Sequence, residues 1–224
     1  MVAVTSVTSC FGTISISIND KDDKTGAQKD FLTSPISRCK LVAGYVLSSA
    51  AISLIMTTAA LVLCLMYIAL IGGNLPGLPN LMRLALTIVL SVLCANAIVF
   101  FISLFVKSEN AFSALSVIVG TLIGFLMGIY IPPGQLSDSI QWVIKCFPMS
   151  HAASMFRQVM ADGELTELFA GAPPGALEGF RETFGIVFVY GDFTSSFWFS
   201  AMVLLGTAIV FYLLSLIVMR RSRM

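Results

Sequence analysis

The stretch Asp30-Phe-Leu-Thr-Ser-Pro-Ile-Ser-Arg38 decides the fold, because a long apolar run from Leu41 to Ile71 follows it almost at once. That run contains no Asp, Glu, Lys, Arg or His. An uninterrupted apolar stretch of about 18 or more residues predicts a membrane-spanning helix. A polar, proline-broken segment therefore leads directly into a predicted membrane span.

Composition extends this prediction to the whole chain. Hydrophobic residues make up 57% of the 224 residues and charged residues 11%, whereas soluble domains carry about 25% charged residues. Further apolar runs lie at 84–106, 110–131 and 195–219. We therefore predict an all-α fold, a polytopic membrane helix bundle. The net charge of +1 gives no indication that the protein binds nucleic acid.

The polar segments divide the chain. Residues 1–18 are moderately apolar and short for a span, so we predict the last part of a membrane helix and a bundle that is incomplete at its N-terminus. The other predicted divisions are a charged cytoplasmic segment at 19–40, three membrane helices within 41–131, an extracellular segment with short amphipathic helices at 132–194, the last membrane helix at 195–219, and a cytoplasmic tail at 220–224.

The basic residues predict the orientation of the helices. Segment 19–40, the Lys107 loop and the C-terminal tail would share one side of the membrane, and together they hold nine of the thirteen Lys and Arg residues. Loops rich in Lys and Arg stay in the cytoplasm. We therefore expect a multi-pass protein of the cell membrane whose C-terminus is cytoplasmic.

No pattern typical of catalysis or cofactor binding is present. The chain lacks the G-x-x-x-x-G-K-[ST] loop that holds nucleotide phosphates. His151 is the single histidine, and the five cysteines form no C-x-x-C pair. We therefore predict a chain that is not an enzyme, with no catalytic, cofactor-binding or metal-binding residues, and a structural role for His151.

The middles of the spans carry no ionisable Asp, Glu, Lys, Arg or His. Ion-coupled transporters usually need such groups as proton relays or counter-ions, although Na⁺ bound by backbone carbonyls would leave no trace in the sequence. This favours a permease that receives its energy from another subunit.

Two features in the spans predict helix packing. Gly120, Gly124 and Gly128 recur at four-residue spacing, and on a helix they would form a stripe that lets another helix approach closely. Asn96 lies mid-span, where an unpaired amide is costly, so we expect it to hydrogen-bond another helix. Ordinary packing within the chain and contact with a second subunit both remain open for the glycines.

Three stretches resemble a known family. They are Asp30-Phe-Leu-Thr-Ser-Pro-Ile-Ser-Arg-Cys-Lys-Leu-Val-Ala-Gly-Tyr45, Gly128-Ile-Tyr-Ile-Pro-Pro133, and Phe147-Pro-Met-Ser-His-Ala-Ala-Ser-Met-Phe-Arg157. In this order they resemble the C-terminal two-thirds of a type 2 permease subunit of ATP-binding-cassette (ABC) exporters. That family has six helices in each subunit or half.

The resemblance implies the function and the partners. The chain would be the membrane-spanning subunit of an ATP-driven exporter, pairing with a separate ABC ATPase and with a second permease subunit, as a homo- or heterodimer in the lipid bilayer. The residues implied for coupling to the ATPase are Asp30, Thr33, Pro35, Ser37 and Arg38. An ion-coupled secondary transporter or channel, and a non-transporting membrane partner protein, remain alternatives; a membrane enzyme is least favoured.

Overall fold

The computed structural model describes residues 1–22, 38–106, 108–173, 175–191 and 193–221. Within these ranges the chain is mainly helical. The elements are α1 (Val2–Asp22), α2 (Arg38–Ile71), α3 (Leu78–Ser103), α4 (Glu109–Leu126), a 3-10 turn (Pro133–Gln135), α5 (Asp138–Cys146), α6 (Pro148–Leu168), α7 (Ala176–Thr183), β1 (Val189–Tyr190), β2 (Phe193–Thr194) and α8 (Phe197–Arg221).

Three of the described helices are long and apolar enough to cross a membrane, and they contain the segments Ala43–Ile71, Leu78–Ser103 and Phe197–Met219. Two shorter apolar segments, Val2–Ile14 in α1 and Asn110–Leu126 in α4, accompany them. The fold class predicted from the sequence, an all-α membrane helix bundle, is therefore confirmed.

The structure corrects the C-terminal end of one predicted span. The sequence predicts a helix that reaches Ile131, but α4 ends at Leu126. Gly128 follows with a φ of +63°, a left-handed conformation that glycine adopts readily and that commonly terminates helices. The amide of Ile129 then donates to the carbonyl of Gly124 at 3.0 Å. This turn shortens the apolar helix below the length of its neighbours.

The residues at the N-termini of three helices explain where these helices begin. In α3 a proline occupies the first turn after Gly77, where its missing N–H group costs no hydrogen bond. In α4 the hydroxyl of Ser108 accepts from the amide of Ala111 at 3.3 Å, which satisfies one free donor of the first turn. Pro148 likewise opens α6 directly after α5 ends at Cys146.

α3 is the central helix of the bundle. It packs against α1, α2, α6 and α8, while α1 also contacts α2 and α4. Most of the side chains in the middle of α3 are buried, whereas α2 and α8 expose large apolar side chains along much of their length. A surface of this kind is suited to hydrocarbon rather than water.

The segment after α4 folds against the bundle through α6. The first half of α6 contributes Met149, Ala152, Met155 and Phe156 to the core. The two short strands pair antiparallel, with Val189 opposite Thr194 and Tyr190 opposite Phe193. The sequence did not predict this hairpin.

Candidate functional site in the helix bundle

A hydrogen-bonded polar junction joins four helices inside the bundle. Asn96 of α3 donates from Nδ2 to Ser49 Oγ of α2 at 3.0 Å. Its Oδ1 accepts from the Tyr212 hydroxyl of α8 at 3.2 Å. Ser49 Oγ also lies 2.7 Å from Thr13 Oγ1 of α1. The name polar junction refers to these four residues, Thr13, Ser49, Asn96 and Tyr212.

The hydrogen-bond directions in the polar junction can be assigned from chemistry. Thr13 donates its hydroxyl proton to the carbonyl of Ser9 at 2.9 Å. Ser49 can then donate to Thr13 while it accepts from the amide of Asn96. Each polar group thus has a partner, as buried polar groups in an apolar environment require.

The face of α2 that meets α1 is narrow and polar. Ser49, Ser53 and Thr57 are buried at four-residue intervals, with Leu61 one turn further. On α1, Ser6 and Cys10 are fully buried. Small side chains let two helices approach closely in a membrane. Much of the described remainder of α2 is exposed, including Leu47, Ile55 and Val62, while Ala50 and Leu65 pack in part against the core.

A second polar site lies at the C-terminal end of α4. Arg157 of α6 donates from one terminal nitrogen to the carbonyl oxygens of Met127 at 2.6 Å and Gly128 at 2.8 Å. Its other terminal nitrogen donates to the carbonyl of Gly185 at 3.3 Å. A cation at the C-terminus of a helix is electrostatically favourable. Burial lowers the pKa of Arg157, but a guanidinium stays charged.

Two glycines make room for this arginine. Gly128 and Gly185 both have a φ of +63°. A Cβ atom on Gly128 would lie 2.5 Å from the ring of Pro133, and one on Gly185 would lie 2.8 Å from the same ring and 3.1 Å from Arg157. Glycine is therefore required at both positions by conformation and by space. Arg157 fastens α6 to the end of α4 and to the loop before β1.

His151 belongs to a third cluster, at the start of α6. Its Nε2 lies 3.1 Å from the carbonyl of Lys145, and its Nδ1 lies 3.2 Å from Ser200 Oγ. The carbonyl accepts only, so Nε2 carries the proton and Nδ1 accepts from Ser200. Tyr190 donates to the same carbonyl at 2.9 Å. Burial lowers the pKa of His151, partly opposed by the bond to Lys145, so the neutral imidazole connects α5, α6, the hairpin and α8.

The glycines predicted to form a stripe have different surroundings. A Cβ atom on Gly120 would meet nothing within 4 Å, whereas one on Gly124 would overlap the ring of Tyr130. Gly128 lies beyond the end of α4, so it does not continue a helical stripe; this corrects the predicted geometry. Contact of Gly120 or Gly124 with a second subunit stays a prediction.

The residues predicted to couple to an ATPase lie largely outside the described part of the chain. Asp30, Thr33, Pro35 and Ser37 are outside the described residues, and Arg38 is the first residue of α2. Their role stays a prediction. Among the residues that the structure does describe, no group of three or more His, Cys, Asp or Glu side chains could hold a metal ion.

Sequence reasoning missed the partners of Asn96 and the role of Arg157. Ser49 and Tyr212 are 47 and 116 residues away from Asn96 in sequence, so spacing could not reveal them. Arg157 had a readable signal: it is a charged residue in a segment that is otherwise apolar from Met149 to Met160, apart from small polar residues, His151 and Gln158. A lone cation in such a segment generally has a fixed partner.

The comparisons with known proteins agree with this architecture. A family model described as "ABC-2 family transporter protein" matches residues 1–217. No curated protein and no solved structure matches the chain. The family match covers nearly the whole chain, and three described helices are long and apolar enough to cross a bilayer. The protein therefore belongs to the ABC-2 family of transporter proteins, and it is a multi-pass membrane permease.

Proposed function

We propose that this chain is the membrane-spanning permease subunit of an ATP-driven ABC exporter. It forms the substrate pathway, and a separate ATPase subunit supplies the energy. The family supports an ABC permease, and the chain carries no phosphate-binding G-x-x-x-x-G-K-[ST] loop of its own.

The main support for the proposal is that the polar junction contains no Asp, Glu, Lys, Arg or His side chain. Thr13, Ser49, Asn96 and Tyr212 use hydroxyl, amide and phenol groups that bond to one another. A proton-coupled carrier needs ionisable groups within its spans, and the runs at 41–71, 84–106, 110–131 and 193–219 hold no Asp, Glu, Lys, Arg or His. The lack of such groups disfavours proton coupling and favours energy that is supplied by another subunit.

Helix α2 is suited to transmit a movement from the proposed ATPase contact to the polar junction. It begins at Arg38, within the segment 19–40 proposed to contact the ATPase, and it continues without a break to Ile71. Ser49 lies eleven residues after Arg38, which corresponds to about 16 Å along an α-helix. A push on segment 19–40 would therefore reach the polar junction through one rigid helix.

The proposal includes an orientation and a second subunit. Segment 19–40 and the C-terminal tail are cytoplasmic, and the segment from 132 to 194 is extracellular, because Lys and Arg concentrate on the first side. A second permease subunit completes the pathway. The exposed apolar side chains of α2 and α8 leave ample surface for that subunit and for lipid.

Coupling is tested with the permease and its candidate ATPase in lipid nanodiscs. Arg38→Ala and deletion of residues 33–37 should reduce stimulation of ATP hydrolysis and leave membrane insertion unchanged. Glu178→Ala, on the exposed helix α7 in the proposed extracellular segment, is the matched control and should retain stimulation. Transport driven by an ion gradient with no ATPase present would show that the secondary-transporter alternative is right.

Orientation is tested separately. Lys24→Cys should resist a membrane-impermeant thiol reagent added to intact cells after the native cysteines are replaced, while Glu178→Cys should react. The opposite labelling pattern would refute the orientation without bearing on ATP coupling.

A further inference from the structure

Three buried hydroxyl residues follow one another along the face of α2 that meets α1. Ser49, Ser53 and Thr57 are spaced four residues apart, so they lie on one face of the helix. They differ in their hydrogen bonds. Ser49 bonds to Asn96 and to Thr13 in the polar junction. Thr57 donates to the carbonyl of Ser53 on its own helix at 2.7 Å.

The hydroxyl of Ser53 differs from its two neighbours. It is fully buried and has no oxygen or nitrogen partner for a hydrogen bond among the described residues. The Cys10 thiol of α1 interacts with it, but a thiol is a weak hydrogen-bonding group. A buried polar group without a strong partner is destabilising. A position of α2 that gives Ser53 such a partner would remove this cost.

A movement of α2 by one helical turn toward its own N-terminus provides that position. Four residues correspond to about 6 Å along the helix axis, and the movement brings Ser53 to the level that Ser49 occupies now. Ser53 can then accept from Asn96 and donate to Thr13. The hydroxyl of Ser49 can donate to the carbonyl four residues earlier, as Thr57 does now.

The sizes of the side chains give the movement its direction. Toward the N-terminus of α2, one serine replaces another in the polar junction, and Thr57 moves to the level of Ser53. The opposite movement would bring Tyr45, four residues before Ser49, toward Asn96. Its ring is far larger than a serine side chain, and small side chains are what let membrane helices approach closely. Packed elements in switching proteins do exchange contacts in one-turn steps.

Helix α2 is long enough to make this movement in a bilayer. Its apolar segment Ala43–Ile71 has 29 residues, which corresponds to about 43 Å along the axis. The hydrocarbon core of a bilayer is about 30 Å thick. A displacement of one turn therefore keeps apolar residues of α2 across the whole core.

We propose that α2 has two registers against α1 and α3, one turn apart, and that Ser53 replaces Ser49 in the polar junction in the second register. The use of this step in transport rests on the proposed function. In the proposed orientation the step moves α2 toward the cytoplasm, and a push on segment 19–40 returns it. The existence of the second register does not depend on ATP.

Disulfide formation with the native Cys10 distinguishes the two registers in the permease alone. Helices α1 and α2 run antiparallel, because Thr13 bonds to Ser49 and Cys10 interacts with Ser53. After the step Cys10 meets Thr57. Thr57→Cys therefore reports the second register and Ser53→Cys the observed one, in a background with the other four cysteines replaced by alanine. A disulfide requires Cα atoms within about 7 Å of each other.

Two substitutions should change the rate of the Thr57→Cys crosslink in opposite directions. Ser49→Ala removes two hydrogen bonds of the observed register, and it should raise the rate about three-fold for each bond lost. Ser53→Ala removes the bonds of the second register and should lower the rate by a similar factor. Ser48→Ala, on the exposed side of α2, is the matched control. Equal rates in all three variants, or a crosslink at Ser53→Cys with none at Thr57→Cys, would overturn the second register.

The complex with the ATPase shows whether turnover uses the step. ATP hydrolysis should raise the rate of the crosslink between Cys10 and Thr57→Cys above the rate without nucleotide. If the permease stimulates hydrolysis while ATP leaves that rate unchanged, turnover does not use the step and the proposed function stands. If the permease does not stimulate hydrolysis, the proposed function fails, and the crosslinks in the permease alone still decide whether two registers exist.

Discussion

Removing one hydroxyl, by Tyr212→Phe, tests whether the polar junction contributes to the stability of the bundle. This change deletes the donor to Asn96 Oδ1 and keeps the aromatic ring in place. Hydrogen bonds between membrane helices contribute about 0.6 kcal/mol on average and about 1.7 kcal/mol at most. The distance of 3.2 Å is long for a hydroxyl donor. We therefore expect the free energy of unfolding to fall by about 0.6 kcal/mol.

Asn96→Ala should cost more than Tyr212→Phe. It removes both side-chain hydrogen bonds and leaves the Tyr212 hydroxyl buried in part without its acceptor. An orphaned buried polar group costs about 1–3 kcal/mol. In the double variant the Tyr212 hydroxyl is also absent, so no polar group is left without its acceptor. The loss of unfolding free energy should therefore be smaller than the sum of the losses in the two single variants. The coupling energy between the positions is expected to be about 0.6 kcal/mol.

Reversible unfolding in mixed detergent micelles measures these differences. Tyr67→Phe is the matched control, because Tyr67 lies on α2 with 65% of its surface exposed, and it should leave the free energy unchanged. If Tyr212→Phe behaves like Tyr67→Phe and the coupling energy is zero, the junction does not stabilise the bundle and the reasoning from its geometry fails.

The remaining predictions concern the C-terminal end of α4 and the start of α6. Gly124→Leu should lower stability by displacing the ring of Tyr130, whereas Gly120→Leu should be tolerated because a Cβ atom on Gly120 would meet nothing within 4 Å. Arg157→Met should cost at least about 1.5–3 kcal/mol, the value of one hydrogen bond to a charged group, because three carbonyls lose their donor. For His151, burial holds the native pKa below 6.5, so the unfolded state binds the proton first. Stability should fall as the pH drops below about 6.5 and level off below the native pKa, and His151→Gln should flatten this dependence.

Thermal unfolding of the purified variants checks these three expectations. Equal effects of the two glycine substitutions on stability would contradict the steric reasoning. If Arg157→Met is as stable as the unchanged protein, the hydrogen bonds from the guanidinium to the three carbonyls do not stabilise the fold. A pH dependence that is the same with and without His151 would show that another group titrates in that range.

The membrane spans could be predicted from the sequence because transfer into hydrocarbon depends on summed side-chain apolarity over a sufficient length. That quantity depends only on the local sequence. The spans containing Ala43–Ile71 and Phe197–Met219 could therefore be predicted without knowing which helices they contact. The end of α4 depends on a different kind of information. It requires the backbone conformation of Gly128 and a guanidinium from a residue about 30 positions further along the chain.

The candidate site was predictable only in part for the same physical reason. A buried mid-span amide must find a partner, which gave Asn96 its importance. The choice of partner depends on which helices are neighbours, and apolar periodicity carries little of that information when a helix is apolar on most of its surface. The residues from Asp30 to Ser37 depend on the family resemblance, and they stay outside the structural description.

The contrast between the two faces of α3 leads to a last prediction about movement. Toward α2, the contact contains the hydrogen bond from Asn96 to Ser49 and short side chains, whereas α3 packs against α6 and α8 mainly with buried apolar side chains. Weak, small-residue contacts can be exchanged at lower cost, so we expect α2 to shift relative to α1 and α3 during turnover. Cys10 of α1 and Ser53 of α2 are both fully buried on helices that pack against each other, and a disulfide between Cys10 and Ser53→Cys would fix α2 to α1. If the two helices slide past each other, oxidation should reduce ATP hydrolysis by the complex and reduction should restore it. Ser48→Cys, on the exposed side of α2, should form no such bond. Undiminished hydrolysis with the crosslink complete would contradict this expectation, because turnover would then not require α2 to move relative to α1.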